Sequence, residues 1–188
     1  MQHSGHAGMD PWLNAPPLRR FLRSRGAAQA ATESDARAMR DALSLAREAA
    51  AAGEAPIGAV IYDTATGVTI ARARNTREGE NDPAGHAEIS AIRAAARALG
   101  DWRLNGFTLV VTLEPCCMCA GAIVAARLGR VVYAADDPKA GAARSLYRLL
   151  EDPRLNHRVT PIRGLLAGES AGLLREFFRQ RRGPRPAE

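Results

Sequence analysis

Apolar residues recur at helical spacing from residue 38 onward, with Ala38, Met39, Ala42, Leu43, Leu45, Ala46 and Ala49 along one stripe. Ser34 stands as N-cap and Gly53 as stop, so the pattern predicts a first helix between them. Two β-branched runs follow, Ile57 to Tyr62 and Val68 to Ala73, joined by residues 63–67, whose composition suits a hairpin loop. A second helix is predicted from about His86 to Leu99, after the Asn81-Asp82-Pro83 turn and ending at Gly100. Phe107 to Leu113 is almost continuously apolar, as a strand covered on both faces is. Pro115 interrupts that run, and a third helix follows from Cys116 to Arg127. Beyond Gly129 the pattern gives a strand over Arg130 to Ala135, a short helix near Ser145 to Leu150, a strand around Val159 to Leu165 and a final helix from Glu169 to Arg182. Strands alternating with helices predict an α/β fold, a layered sandwich around a largely buried sheet.

The 188 residues suit one compact domain, and 46% apolar with 24% charged residues is an ordinary globular balance. No stretch approaches the roughly 20 apolar residues that span a bilayer, which excludes a membrane-spanning helical protein. The chain divides into a disordered basic extension over 1–33, a domain over 34–182 and a disordered tail over 183–188. The extension holds Pro11, Pro16, Pro17 and the Arg-rich piece from Leu18 to Arg25, with no apolar run long enough for a secretory signal. The net charge of +6 is concentrated at the two ends and is balanced in the middle. Basic ends flanking a neutral domain are the footprint of segments that follow a phosphate backbone.

Three cysteines cannot form a disulfide framework, and they crowd together as Cys116, Cys117 and Cys119. Crowding of that kind suits a metal and a reducing compartment, so a cytoplasmic location is expected. On a helix Cys116 and Cys119 share a face, whereas Cys117 lies about 100° away and is spare. His86-Ala87-Glu88 opens one predicted helix and Pro115-Cys116-Cys117-Met118-Cys119 opens another. His-x-Glu together with Pro-Cys-x-x-Cys is the signature of zinc deaminases that act on nucleobases. One imidazole and two thiolates leave a fourth tetrahedral position open, as in catalytic zinc sites, where water bound there has a pKa near 7. Glu88, two residues beyond the histidine, points beside the metal and is free to act as acid and base.

Through these motifs the chain from about Ala38 to Arg182 resembles the bacterial tRNA-specific adenosine deaminases, within the cytidine-deaminase-like fold. The likeness rests on Ala55-Pro56-Ile57-Gly58-Ala59-Val60, Asn75, Asp82-Pro83, His86-Ala87-Glu88, Thr112-Leu113-Glu114-Pro115-Cys116, Gly141-Ala142-Ala143, Asn156-His157-Arg158-Val159 and Phe177-Phe178-Arg179. The resemblance implies a three-layer αβα sandwich with a mixed sheet of about five strands. It implies one zinc ion per subunit held by His86, Cys116 and Cys119, a homodimer, and hydrolytic conversion of adenosine to inosine at the wobble position of an arginine tRNA. Asn75 would then hydrogen-bond the base, Asp137 would lie by its sugar and phosphate, and Arg179 and Arg181 would meet phosphates of the anticodon stem-loop. Asn81, Gly85, Asp136 and Arg144 depart from the family's pattern. Two other readings share parts of the sequence: a deaminase of free bases or nucleosides such as guanine or cytosine, and an inert zinc-stabilised RNA-binding subunit. The basic final helix argues against the former, and Glu88, a proton shuttle without use in an inert protein, against the latter.

Overall fold

The computed structural model describes residues 30–182. The extension expected over 1–33, except 30–33, and the tail over 183–188 lie outside the described residues.

Strands β1 (Gly58–Asp63) and β2 (Thr69–Arg74) pair as an antiparallel hairpin. On its other edge β1 runs antiparallel to β3 (Phe107–Leu113), which is parallel to β4 (Arg130–Ala135), and β4 is parallel to the two-residue β5 (Ile162–Arg163). The mixed five-stranded sheet thus has the order β2-β1-β3-β4-β5. Its two faces are covered by different helices, as alternation along each strand requires. Val60, Tyr62, Val110, Val132 and Ala134 face α1 (Glu33–Ala51) and α4 (Ala167–Arg182). Ala59, Ile61, Leu109, Val111 and Val131 face α2 (Ala87–Leu99) and α3 (Cys117–Ala125). The result is the expected three-layer αβα sandwich. Each fully buried Val, Leu or Ile in these layers contributes about 1.5–3 kcal/mol relative to exposure. Among the described residues no helix is long and apolar enough to cross a membrane.

Local chemistry sets the element ends. The first helix is capped by Thr32, not Ser34: the Thr32 hydroxyl accepts from Asp35 N–H (3.2 Å) while Asp35 Oδ2 accepts from Thr32 N–H (2.6 Å). This reciprocal capping box outcompetes a lone serine. Asp35 is also fully buried, where it accepts from Tyr62 Oη (2.6 Å) and pairs with Arg130 (2.7 Å), tying α1 to β1 and β4. No room exists for a β-carbon on Gly58 beside the Ala42 carbonyl, so glycine lets β1 press against α1. The strand expected over Val159 to Leu165 shrinks to two residues, because Pro161 has no N–H to donate to the ladder. The short helix expected from Ser145 reduces to a 3-10 turn at Leu149–Glu151, because Leu146 N and Tyr147 N donate to Gly141 O and Leu149 N to Ala142 O, not to carbonyls four residues back.

Candidate active site

Two helices begin at one place. His86 is the N-cap of α2 and Cys116 the N-cap of α3, both with extended backbone and neither using its side chain to cap its own helix. Cys116 arrives there because β3 ends at Leu113 and Pro115 blocks further pairing, while Cys119 follows one helical turn later. Freed from capping, the side chains converge. His86 Nδ1 lies 3.7 Å from Cys116 Sγ and 3.5 Å from Cys119 Sγ, and the three potential ligand atoms all fall within 4.8 Å of one another. Ligands at usual zinc distances stand about 3.5–3.8 Å apart around a tetrahedral ion, so this donor set fits a zinc ion. Cys117 is exposed and outside the group.

The two ligand cysteines are shifted in opposite directions. A hydrogen bond from Cys119, against burial and with help from His86, holds Cys116 down to about 3. The same bond and burial push Cys119 up. Hydrogen bonding to Cys116 raises His86 above the usual imidazole value, despite its partial burial.

Glu88 sits in the first turn of α2 and is only 3% exposed, with Oε2 buried and without a hydrogen-bond partner. Burial pushes its carboxyl above the usual carboxylate range. A buried carboxylate oxygen without a partner costs stability, roughly 1–3 kcal/mol, and such an orphan is retained where chemistry needs it.

Two acids that carry no mark of their own in the sequence frame the site. Glu114, 2% exposed, accepts the backbone N–H groups of Asp137 (2.9 Å), Ala143 (3.2 Å), Arg144 (2.7 Å) and Ser145 (2.8 Å), and the Ser145 hydroxyl. That carboxylate gathers the backbone donors of the turn at 143–145 around itself, while Leu146 N and Tyr147 N both donate to Gly141 O (3.0 and 3.3 Å). The loop is pinned beside the cysteines as well: Gly141 bridges to Cys116, and Ala142 N donates to Pro115 O (2.8 Å). Glu54, 1% exposed, accepts from Asn75 Nδ2 (3.0 Å) and Gly79 N (2.7 Å). The signal for both lies in their neighbourhood, since Glu54 directly precedes Ala55-Pro56 and Glu114 directly precedes Pro115-Cys116.

The remaining candidates are placed as follows. Asn75, buried just past the end of β2, precedes Thr76, whose N–H donates to the carbonyl of Gly85, the residue before His86 (2.9 Å). Asp137 is half-buried in the loop clamped by Glu114, its Oδ1 accepting from Lys139 N (2.9 Å) and Ala140 N (3.3 Å). Arg179 is exposed and pairs with Glu176. Arg181 donates to Gly53 O (2.5 Å) and stacks over Phe177 at 4.9 Å, so it packs α4 onto the end of α1. Of the departures, Asp136 pairs with Arg163 (3.5 Å), and Gly85 is packed closely, with 3.1 Å between a would-be β-carbon and the Arg77 and Asp82 backbone. His157 takes no part in the metal group, its Nε2 meeting Leu128 O at 2.8 Å.

Fold and site together are those of a deaminase, and residues 33–182 match the family model of the MafB19-like deaminases. The tRNA-specific adenosine deaminase of Bacillus subtilis is 47% identical over 149 residues, 79% of this chain and 91% of that protein. Its counterpart in Haemophilus influenzae is 43% identical over 162 residues, 86% of this chain and 93% of that protein. Among solved structures, one from work on A-to-I editing by tRNA:A34 deaminases at the wobble position is similar with a TM-score of 0.70 and 46% identity, covering 73% of this chain and 99% of that one. The guanine deaminase of Nitrosomonas europaea shares the fold at a TM-score of 0.66 and 27% identity, covering 94% and 97%. The chain belongs to the family of tRNA-specific adenosine deaminases.

Proposed function

We propose that this protein hydrolyses adenosine to inosine at the wobble position of a tRNA anticodon, releasing ammonia. The observation that carries the reading is the pairing of a buried, partnerless Glu88 oxygen with the convergent His86, Cys116 and Cys119, in a chain 47% identical to a tRNA-specific adenosine deaminase. The three residues would hold one zinc ion per subunit, which when bound supplies the Lewis acidity that makes water nucleophilic near neutral pH.

Glu88 Oε2 takes one proton from the attacking water and delivers it to ring nitrogen N1, beside the amino-bearing carbon C6. It then carries the second proton from the new hydroxyl to the amino group, which leaves as ammonia, and the carboxylate is restored. Burial raises its pKa above that of an exposed carboxyl, so it holds the proton more firmly between the two transfers. Asn75 holds the base edge, Asp137 the sugar side, and Arg179 and Arg181 the phosphates. An anticodon loop supplies a base that is splayed out without breaking a duplex, so the unstacking cost is only a few kcal/mol. The reading extends to an arginine tRNA as substrate, a homodimer as the working form and the cytoplasm as its place.

The fold shared with a guanine deaminase supports a second reading, action on free bases. Supplying the purified protein with guanine, cytosine, nucleosides and an anticodon stem-loop separates the two. Inosine in the stem-loop is expected; ammonia from guanine with no inosine in RNA would overturn the first reading. In cells lacking the protein, arginine tRNA should carry unedited adenosine at the wobble position.

A further inference from the structure

The pair formed by Glu54 and Asn75 does more than fill space. Both oxygens of the buried Glu54 carboxylate are in use, one on Gly79 N (2.7 Å) and one on Asn75 Nδ2 (3.0 Å). Burial pushes Glu54 up, but hydrogen bonds from the Gly79 and Glu78 N–H groups and from Asn75, with the charge of Arg74, bring it below the usual carboxylate range. An ionised carboxylate accepts and cannot donate, so only the NH2 of the Asn75 amide can face it. Asn75 N also donates to Ile57 O (3.0 Å), which fixes the backbone from which that amide projects. The side-chain oxygen receives no donor from any described residue and is left to the ligand.

We infer that Glu54 is a positioning residue for the target base: it holds the Asn75 amide in a single orientation, with one NH2 hydrogen committed to Glu54 and the oxygen and second hydrogen presented to the purine edge. The inference rests on the deaminase reading and assigns to that site a residue outside the metal group. A freely rotating amide would present either pattern; a pinned one presents a single donor and acceptor order, so recognition needs no reordering when RNA binds.

Glu54→Gln tests this, because a glutamine can satisfy Gly79 N with its oxygen only by turning its own NH2 toward Asn75, which forces the Asn75 amide to flip. The wild type, Glu54→Gln, Asn75→Ala and the double variant are compared for kcat/KM on an anticodon stem-loop, for zinc content and for melting temperature. Glu54→Gln should lower kcat/KM by about 100-fold in the wild-type background, the scale of a displaced positioning group. In the Asn75→Ala background it should matter by no more than about twofold, since its route to the substrate is gone. Zinc content should be unchanged in all four. An equal loss in both backgrounds, or no loss in either, would overturn the role of Glu54. Should Glu54→Gln fail to fold, Glu54→Asp, which keeps the charge and shortens the reach, completes the same cycle: a loss confined to the Asn75 background supports the role, and an equal loss or none overturns it. A wild type inert on the stem-loop would instead overturn the functional reading.

Discussion

The Glu114 carboxylate occupies the space a β-carbon on Gly141 would need, so the loop that follows β4 can approach the cysteines only with glycine at that point. Glu114 cannot step aside cheaply, because four backbone N–H groups and a hydroxyl hold it. Gly141→Ala should therefore destabilise the domain by about 1–3 kcal/mol, the cost of overpacking a fixed site. Urea denaturation measures the loss, and full stability in the variant would show that the clamp yields.

Glu88→Ala separates proton transfer from metal binding. It should keep its zinc and lose roughly 10²–10⁴-fold in kcat, the usual contribution of general acid–base action. Metal analysis beside single-turnover kinetics checks this; loss of zinc with activity would make Glu88 a ligand instead of a shuttle.

The adjacent cysteines should behave in opposite ways. Cys117→Ser is expected to leave zinc content and turnover at wild-type levels, since its exposed sulfur lies outside the convergent group. Cys116→Ser and Cys119→Ser should each weaken zinc by more than about 100-fold, beyond what loss of a supporting residue costs. Competition with a chelator gives the affinities. A zinc-free Cys117→Ser protein would sink the proposed ligand set.

Asp35 predicts how the fold responds to acid. Burial pushes its carboxyl up, but hydrogen bonds from Thr32, Tyr62 and Arg130 outweigh burial and bring it below the usual range. A carboxyl whose pKa is lowered by folding stabilises the protein fully above its unfolded value, and that contribution is lost as pH falls through the folded one. Arg130→Ala, which strands the buried Asp35, should cost about 3–5 kcal/mol near neutral pH. The gap between wild type and variant should narrow below about pH 4, where carboxyls take up protons. Melts across that range would reveal a constant gap if the ion pair were unimportant.

Arg179 and Arg181 sit differently on α4 and should differ in their effects. Each phosphate contact removed lowers the slope of log affinity against log salt by about 0.7 for single-stranded RNA. Arg179→Ala should show that decrease with little change in stability, because its pair with Glu176 is exposed. Arg181→Ala should also lower the melting temperature, since it breaks the bond to Gly53 O and the stack on Phe177. Unchanged salt slopes in both variants would remove this helix from the RNA interface.

What the sequence reveals and conceals follows from how far each signal reaches. β3 and β4 coincide with their predicted bounds because buried parallel strands are apolar at nearly every position. The second helix ends at Gly100, in the left-handed conformation that glycine favours. The metal group is legible because its spacing is local: one residue between His86 and Glu88, two between Cys116 and Cys119. Glu54 and Glu114 are not legible as site residues, since an isolated acid in sequence reads as solvated surface and their partners come from elsewhere in the chain. The packing of Arg181 is hidden for the same reason, its carbonyl partner Gly53 being 128 positions away.

The antiparallel return of α2 and β3 gives the molecule two unequal ends. The helix carries the chain away from His86 over 13 residues, about 20 Å, before β3 brings it back to Cys116. Between them the turn at 100–106 bears the exposed Trp102 at the far pole. Residues 101–103 of that turn are exposed, whereas Leu104 is buried and bonded to Ala126 O, so a fluorescent label, an affinity handle or a grafted peptide belongs at 101–103, one helix length from His86.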